Sequence, residues 1–164
     1  MKKKKIYEGK TKKVYEGEHE TELILEFKDD AVALSGSKPT HIRGKGMMNK
    51  QISVYLFRLL ESYHIGTHLV RELSDKEILV KRLNMIPVVV MVHNVVAGKL
   101  VKSYGMKEGK ELECPIIEYY LKDEERDDPM INEDHVVSFG HATSLEIKEM
   151  HRLAYKSNAV LKAF

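Results

Sequence analysis

A single cysteine, Cys114, stands in a chain of 164 residues. No disulfide can form within it, and the expected compartment is a reducing one, the cytoplasm. Pro115 and an apolar pair follow Cys114, which marks the start of a strand rather than a reactive thiol. Tryptophan is absent, no arginine-rich groove stands out, and the tyrosines do not alternate with the lysines. Nucleic acid is therefore not an expected partner, and the run Lys2, Lys3, Lys4 and Lys5 reads as a solvated tail. No apolar stretch reaches the roughly 20 residues that span a bilayer, and no signal-type apolar segment follows the lysines. Neither a membrane nor export is expected. The eight histidines lack cysteine partners, and no nucleophile elbow is visible, so no metal ligand set is assigned.

What is present suffices for a core: 43% of the residues are hydrophobic, enough for one compact domain or two small lobes. The formal net charge of +2 is unevenly spread. Lysines crowd the start, whereas Glu118–Asp134 carries eight acidic residues against Lys122 and Arg126. KIYEGKTKKVYEG (Lys5–Gly17) reads as two short strands about a glycine turn. ELILEF alternates, with Leu23, Leu25 and Phe27 on one face. A Gly-, Ser- and Pro-rich loop follows, then a helix over Asn49–Tyr63 with the stripe Ile52, Leu56, Leu59 (or Leu60) and Tyr63, closed by Gly66. THLVREL, EILVKRL and IPVVVMVHNVVAGKL read as strands, the last continuing through a kink at Pro87. PIIEYYLKD is a further strand before an acidic loop. Thr143 with Glu146 forms a capping box for a final helix whose apolar faces include Leu145, Met150, Leu153, Tyr155, Val160, Leu161 and Phe164. That helix stops without a polar tail, which suggests a longer chain. The fold class is α+β: an antiparallel sheet first, helices packed on it later.

Three polar groupings invite chemistry. Gly9–Lys13 is a lysine-bearing turn between strands; its backbone N–H groups and ammonium charges suit phosphates, although the spacing of a Walker A loop is absent. Val80–Pro87 joins a strand lysine to exposed backbone before a proline, an arrangement that suits adenine and α-phosphate but, taken alone, reads sooner as an ordinary edge strand. Tyr120–His135 concentrates carboxylates that suit magnesium or an amine, or form a plain solvated loop. In Asp127-Asp128-Pro129 the proline is expected to hold Asp128 extended.

In this order, YEGKTKKVY, EFKDD, GKGMMNKQIS, LVKRLNMIPV, NVVAGKLVKSYGMKEGKEL and EYYLKDEERDDPMINEDH resemble SAICAR synthetase, the ligase of purine biosynthesis, over essentially the whole chain. The resemblance implies an antiparallel nucleotide-binding lobe over residues 1–84 and an incomplete second α+β region over residues 85–164. It implies ATP and Mg²⁺ as cofactors, activation of a ribotide carboxylate as an acyl phosphate, and attack by aspartate. Lys10, Lys12 and Lys81 match the phosphate-side lysines, and Met85 the position whose backbone meets adenine. Lys122 and Asp128 match the lysine and aspartate of the acidic block, catalytic if the chain is active.

The substrate half departs from the family pattern. Val89, His93 and Lys99 stand where the family has glutamate, arginine and serine, and the segment from Asp30 through Ser35 to Gly36 lacks the family's threonine. Neutral histidine cannot imitate the planar fork with which arginine grips a phosphate. The family also continues past Phe164 into segments that carry magnesium ligands. The resulting expectation is a degenerate homologue that binds without ligating: it sequesters a nucleotide-like small molecule, with Asp30, Ser35, His93 and Lys99 in an altered ligand site and no cofactor required. The alternative is an active, ATP-dependent SAICAR synthetase, truncated or completed by a partner chain. A homo-oligomer is expected in either case.

Overall fold

Alternation with a period of two governs the first half of the chain and produces an antiparallel sheet. The computed structural model describes residues 4–31 and 40–164 and divides into two units, Met1–Asn84 and Met85–Phe164. In the first, the elements are β1 (Lys5–Glu8), β2 (Lys12–Glu16), β3 (Glu22–Phe27), β4 (Asp30–Ala31), β5 (Thr40–His41), α1 (Lys45–Ser62), β6 (Leu69–Glu72) and β7 (Glu77–Lys81). Five strands form one sheet in the order β1-β2-β3-β7-β6, and β4 pairs with β5. Val14 lies opposite Leu25, and Leu25 opposite Ile78. This register places Leu23, Leu25, Phe27, Ile78 and Val80 together, packed with Val54 and Phe57 of α1.

The helix turns a different face to the sheet from the one its hydropathy suggests. It begins four residues before Asn49 and buries Gly46, Lys50 and Val54, while Ile52 and Tyr63 are more than half exposed. Polar anchors set this rotation. The buried Asp29 carboxylate accepts the Gly46 N–H at 2.7 Å and the Gly44 N–H at 3.4 Å, satisfying donors that the helix start leaves free. Lys76 pairs with the same carboxylate at 2.7 Å. Lys50 points inward because Glu72 on β6 receives it, and Arg58 also reaches Glu72. The far end is closed by His64, not Gly66. His64 takes the left-handed conformation, φ 58°, its N–H donating to the Glu61 carbonyl and that of Ile65 to the Leu60 carbonyl, a Schellman arrangement.

The second unit contains β8 (Val88–Val95), α2 (Lys99–Tyr104), β9 (Glu111–Leu121), a 3-10 turn (Glu124–Arg126), β10 (Met130–Ile131), α3 (Glu133–Ser138) and α4 (Ser144–Ala163). The strand order is β10-β9-β8, antiparallel throughout. Val88, Val90 and Ile117 pack with Tyr119, Val136, Ile147 and Met150. The Thr143–Glu146 capping box forms in both directions. Other expectations fail. Residues 84–87 do not continue the strand through a kink: β8 starts at Val88, and Pro87, which has no N–H to offer a ladder, accepts the Lys122 N–H through its carbonyl. The acidic segment is not one loop, since it holds the 3-10 turn, β10 and the start of α3. On α4 the buried anchor is Ile147, whereas Leu145 and Phe164 are exposed.

Two outcomes test the α1 anchor. A Cβ at Gly46 would press into the Phe27 carbonyl oxygen, so Gly46→Ala is expected to destabilise the fold by about 1–3 kcal/mol, read by urea unfolding. The Lys76 ammonium, then the Gly46 N–H, hold the Asp29 carboxyl at about 2, below its ordinary 3.8. A lowered folded pKa means stability that is complete above about pH 4 and lost as pH falls towards 2. The stability gap between wild type and Asp29→Asn should therefore narrow across that window in acid titrations of Tm.

Candidate functional site

The β8–β9 ladder has two faces. Val89 lies opposite Tyr120, Met91 opposite Glu118 and His93 opposite Ile116, and strand alternation sets these residues on the side away from the core. Here the chain forms a cavity of about 430 Å³ lined by Val89, Met91, His93, Ala97, Gly98, Lys99, Tyr120, Asp127 and Asp128. Val89 and Met91 give it an apolar floor. Asn94 serves the opposite side: its amide and that of Asn158 on α4 exchange hydrogen bonds at 2.7 and 3.1 Å. The histidine and asparagine that interrupt this apolar strand thus have separate tasks, one in the cavity and one docking a helix.

Behind the wall lies Glu118, whose side chain is 7% exposed. Its Oε2 accepts the Tyr120 hydroxyl at 2.5 Å and lies 2.9 Å from His93 Nε2. Burial, and secondarily the bond to Glu118, push the Tyr120 hydroxyl up to about 12, so it remains a donor at neutral pH. Lys99, at the start of α2, holds its ammonium 4.5 Å from the centre of the Tyr120 ring, a cation–π contact. Asp127 and Asp128 supply the opposite charge. The cavity therefore offers an ammonium, an imidazole, two carboxylates and an apolar surface, which suits a small ligand bearing both anionic and hydrogen-bond-donating groups.

Asp128 is not extended. Asp127 and Asp128 have φ of 56° and 43°, because the Asp123 N–H donates to Asp128 Oδ1 at 2.7 Å and the Asp128 N–H to the Asp123 carbonyl at 3.0 Å. Paired bonds outweigh the preference that a following proline imposes.

The structure brings together His93, Lys99 and Asp128 among the residues singled out from sequence. Lys122 is exposed just beyond β9, and Met85 is 71% exposed before β8; neither lines the cavity. In the first unit, Lys10 occupies the β1–β2 turn and Lys12 begins β2, its ammonium 5.0 Å from the Phe27 ring centre. Lys81 ends β7 opposite Glu22, on the sheet face opposite that of Lys12. Asp30 pairs with Lys28 at 2.9 Å, with His41 at 3.6 Å. Ser35 lies outside the described residues. Glu118 and Tyr120 were not singled out from sequence as residues of this wall, and Asp127 stood only within the Tyr120–His135 acidic grouping. The signal for the first two was the alternation of 118 and 120 with the core-facing Tyr119, which becomes informative only when β9 is paired in register with β8.

Among the described residues, no group of three or more His, Cys, Asp or Glu is placed to hold a metal ion, and no helix is long and apolar enough to cross a membrane. Magnesium commonly rests on substrate phosphates with few protein ligands.

Comparisons with known proteins agree with this fold. The SAICAR synthetase family model matches residues 5–164. Phosphoribosylaminoimidazole-succinocarboxamide synthase of Aquifex aeolicus is 46% identical over 159 residues, 97% of this chain and 74% of that protein. The crystal structure of the synthase from Ehrlichia chaffeensis superposes with a TM-score of 0.90 at 37% identity, over 96% of this chain and 67% of that one. A SAICAR synthetase in complex with ADP gives a TM-score of 0.88 at 44% identity, over 96% and 66%.

The turn around Asp128 yields a stability prediction. Asp128→Ala removes the bond to Asp123 and puts a less tolerant residue at positive φ, and should cost about 1–2 kcal/mol. Asp128→Asn, which can keep both, should lie near wild type in the same urea series. Matched by the family model over residues 5–164 and by relatives of this identity and coverage, the chain belongs to the SAICAR synthetase family.

Proposed function

We propose that this chain carries out the family's ligation, joining aspartate to the carboxylate of carboxyaminoimidazole ribotide at the expense of ATP. The observation that carries this reading is the cavity that unites His93, Lys99 and Asp128 within a fold shared across nearly the whole chain. In the reaction the ribotide carboxylate takes the γ-phosphoryl group of ATP and ADP leaves. The aspartate amine then attacks the acyl carbon, phosphate departs, and the amine loses a proton. The chain's part is to position the reactants and to balance charge. Lys10, Lys12 and Lys81 are assigned to the nucleotide phosphates and the Met85 backbone to the base. Lys99 is assigned to an anionic group of the ribotide, with His93 and Asp128 beside it. The family resemblance assigns Asp30 and Ser35 to substrate binding and Lys122 to transfer.

One feature favours a second reading, binding without ligation: His93, where the family pattern has arginine, is engaged by Glu118. Formation of ADP that requires both ribotide and aspartate supports the ligase; retention of unaltered nucleotide with no turnover supports the binder. Because charge-assisted bonds to phosphate contribute about 1.5–3 kcal/mol, Lys12→Ala should raise the KM for ATP about tenfold or more. Lys81→Ala, tested separately because it sits on the other sheet face, should do the same. Unchanged KM in either variant removes that lysine from the phosphate site.

A further inference from the structure

We propose that Glu118 is a positioning residue, holding His93 in one tautomer for the ligand in this cavity. Identification of that ligand as a ribotide rests on the function proposed above. Glu118 Oε2 already accepts the Tyr120 hydroxyl, so the proton of its 2.9 Å contact with His93 Nε2 is assigned to Nε2. The same oxygen is tied from the other side by the Tyr120 hydroxyl at 2.5 Å, which limits its freedom to turn away. Glu118 and Tyr120 come from one strand and His93 from its neighbour, in a register that sets all three on the cavity side. Within the neutral ring Nδ1 is then the acceptor. It is the nitrogen not spent on Glu118.

This division determines which ligand groups the wall can take. His93 cannot serve as a free cation for a phosphate, because a buried carboxylate already faces it. Lys99 is the cation for the ligand's anionic group, and His93 accepts an N–H or O–H from it. The remaining charged groups facing this wall, Asp127 and Asp128, favour donors over further anions. A carboxylate that orients an imidazole in this way acts on the ligand through the ring.

The test uses the full chain labelled with 15N-histidine. Two-bond proton–nitrogen spectra at about pH 8.5, where histidine is ordinarily neutral, should show His93 as the Nε2–H tautomer. In Glu118→Gln, whose amide can donate as well as accept, that tautomer should give way to a mixture. Carboxyaminoimidazole ribotide should bind about tenfold more weakly by calorimetry, with ATP affinity unchanged within about twofold. Glu118→Asp, which restores the charge, should recover part of the loss. An Nδ1–H tautomer in the wild type overturns the proposal, as does equal weakening of ribotide and ATP. If Glu118→Gln does not fold, the wild-type tautomer and the Glu118→Asp affinities decide. A chain that binds ribotide with the fixed tautomer but forms no ADP sinks the ligase reading and leaves the positioning role standing. A wild type that binds no ribotide overturns the ligand assignment.

Discussion

The register between β8 and β9 is the constraint on which the second unit depends. Strand side chains alternate with a strict period of two, so a slip of one residue would exchange the two faces. If β9 slipped against β8, Ile117 and Tyr119 would leave the core and Glu118 and Tyr120 would enter it, while Val88 and Val90 stayed inward. The observed pairing does two jobs at once. It gives α3 and α4 an apolar surface to cover, and it gathers a histidine, a buried carboxylate and a phenol on the other side.

In both units, polar residues rather than apolar ones decide how elements are oriented. Asp29 holds the start of α1, Lys50 turns inward to Glu72, and Asn94 exchanges hydrogen bonds with Asn158. A buried polar group without a partner is costly, and with one it is specific. Hydropathy ranks lysine and aspartate as outward residues, so an apolar stripe alone turns α1 the wrong way. The exposed Ile52 and Tyr63 follow from that competition.

Three positions at which the resemblance implies glutamate, arginine and serine hold Val89, His93 and Lys99 in this sequence. Val89, His93 and Lys99 all line one cavity, and two of them have a physical setting within it. His93 meets a carboxylate already buried behind it, and Lys99 rests over the Tyr120 ring. A guanidinium at position 93 would satisfy the same carboxylate with more donors to spare for a ligand.

The sequence by itself determined the α+β class, the strands on either side of the Gly9 turn, the alternation of β3 and the Thr143 capping box. Each rests on neighbours a few residues apart, where period and side-chain reach suffice. The motifs also carried the family. Tertiary structure alone decided the rotation of α1 and the partnership of His93 with Glu118. Those depend on groups brought together from distant positions: Asp29 with Gly46, Lys50 with Glu72, and two strands in one register. No local pattern reports such partners, because the energy that selects them arises only when the polar groups leave water together.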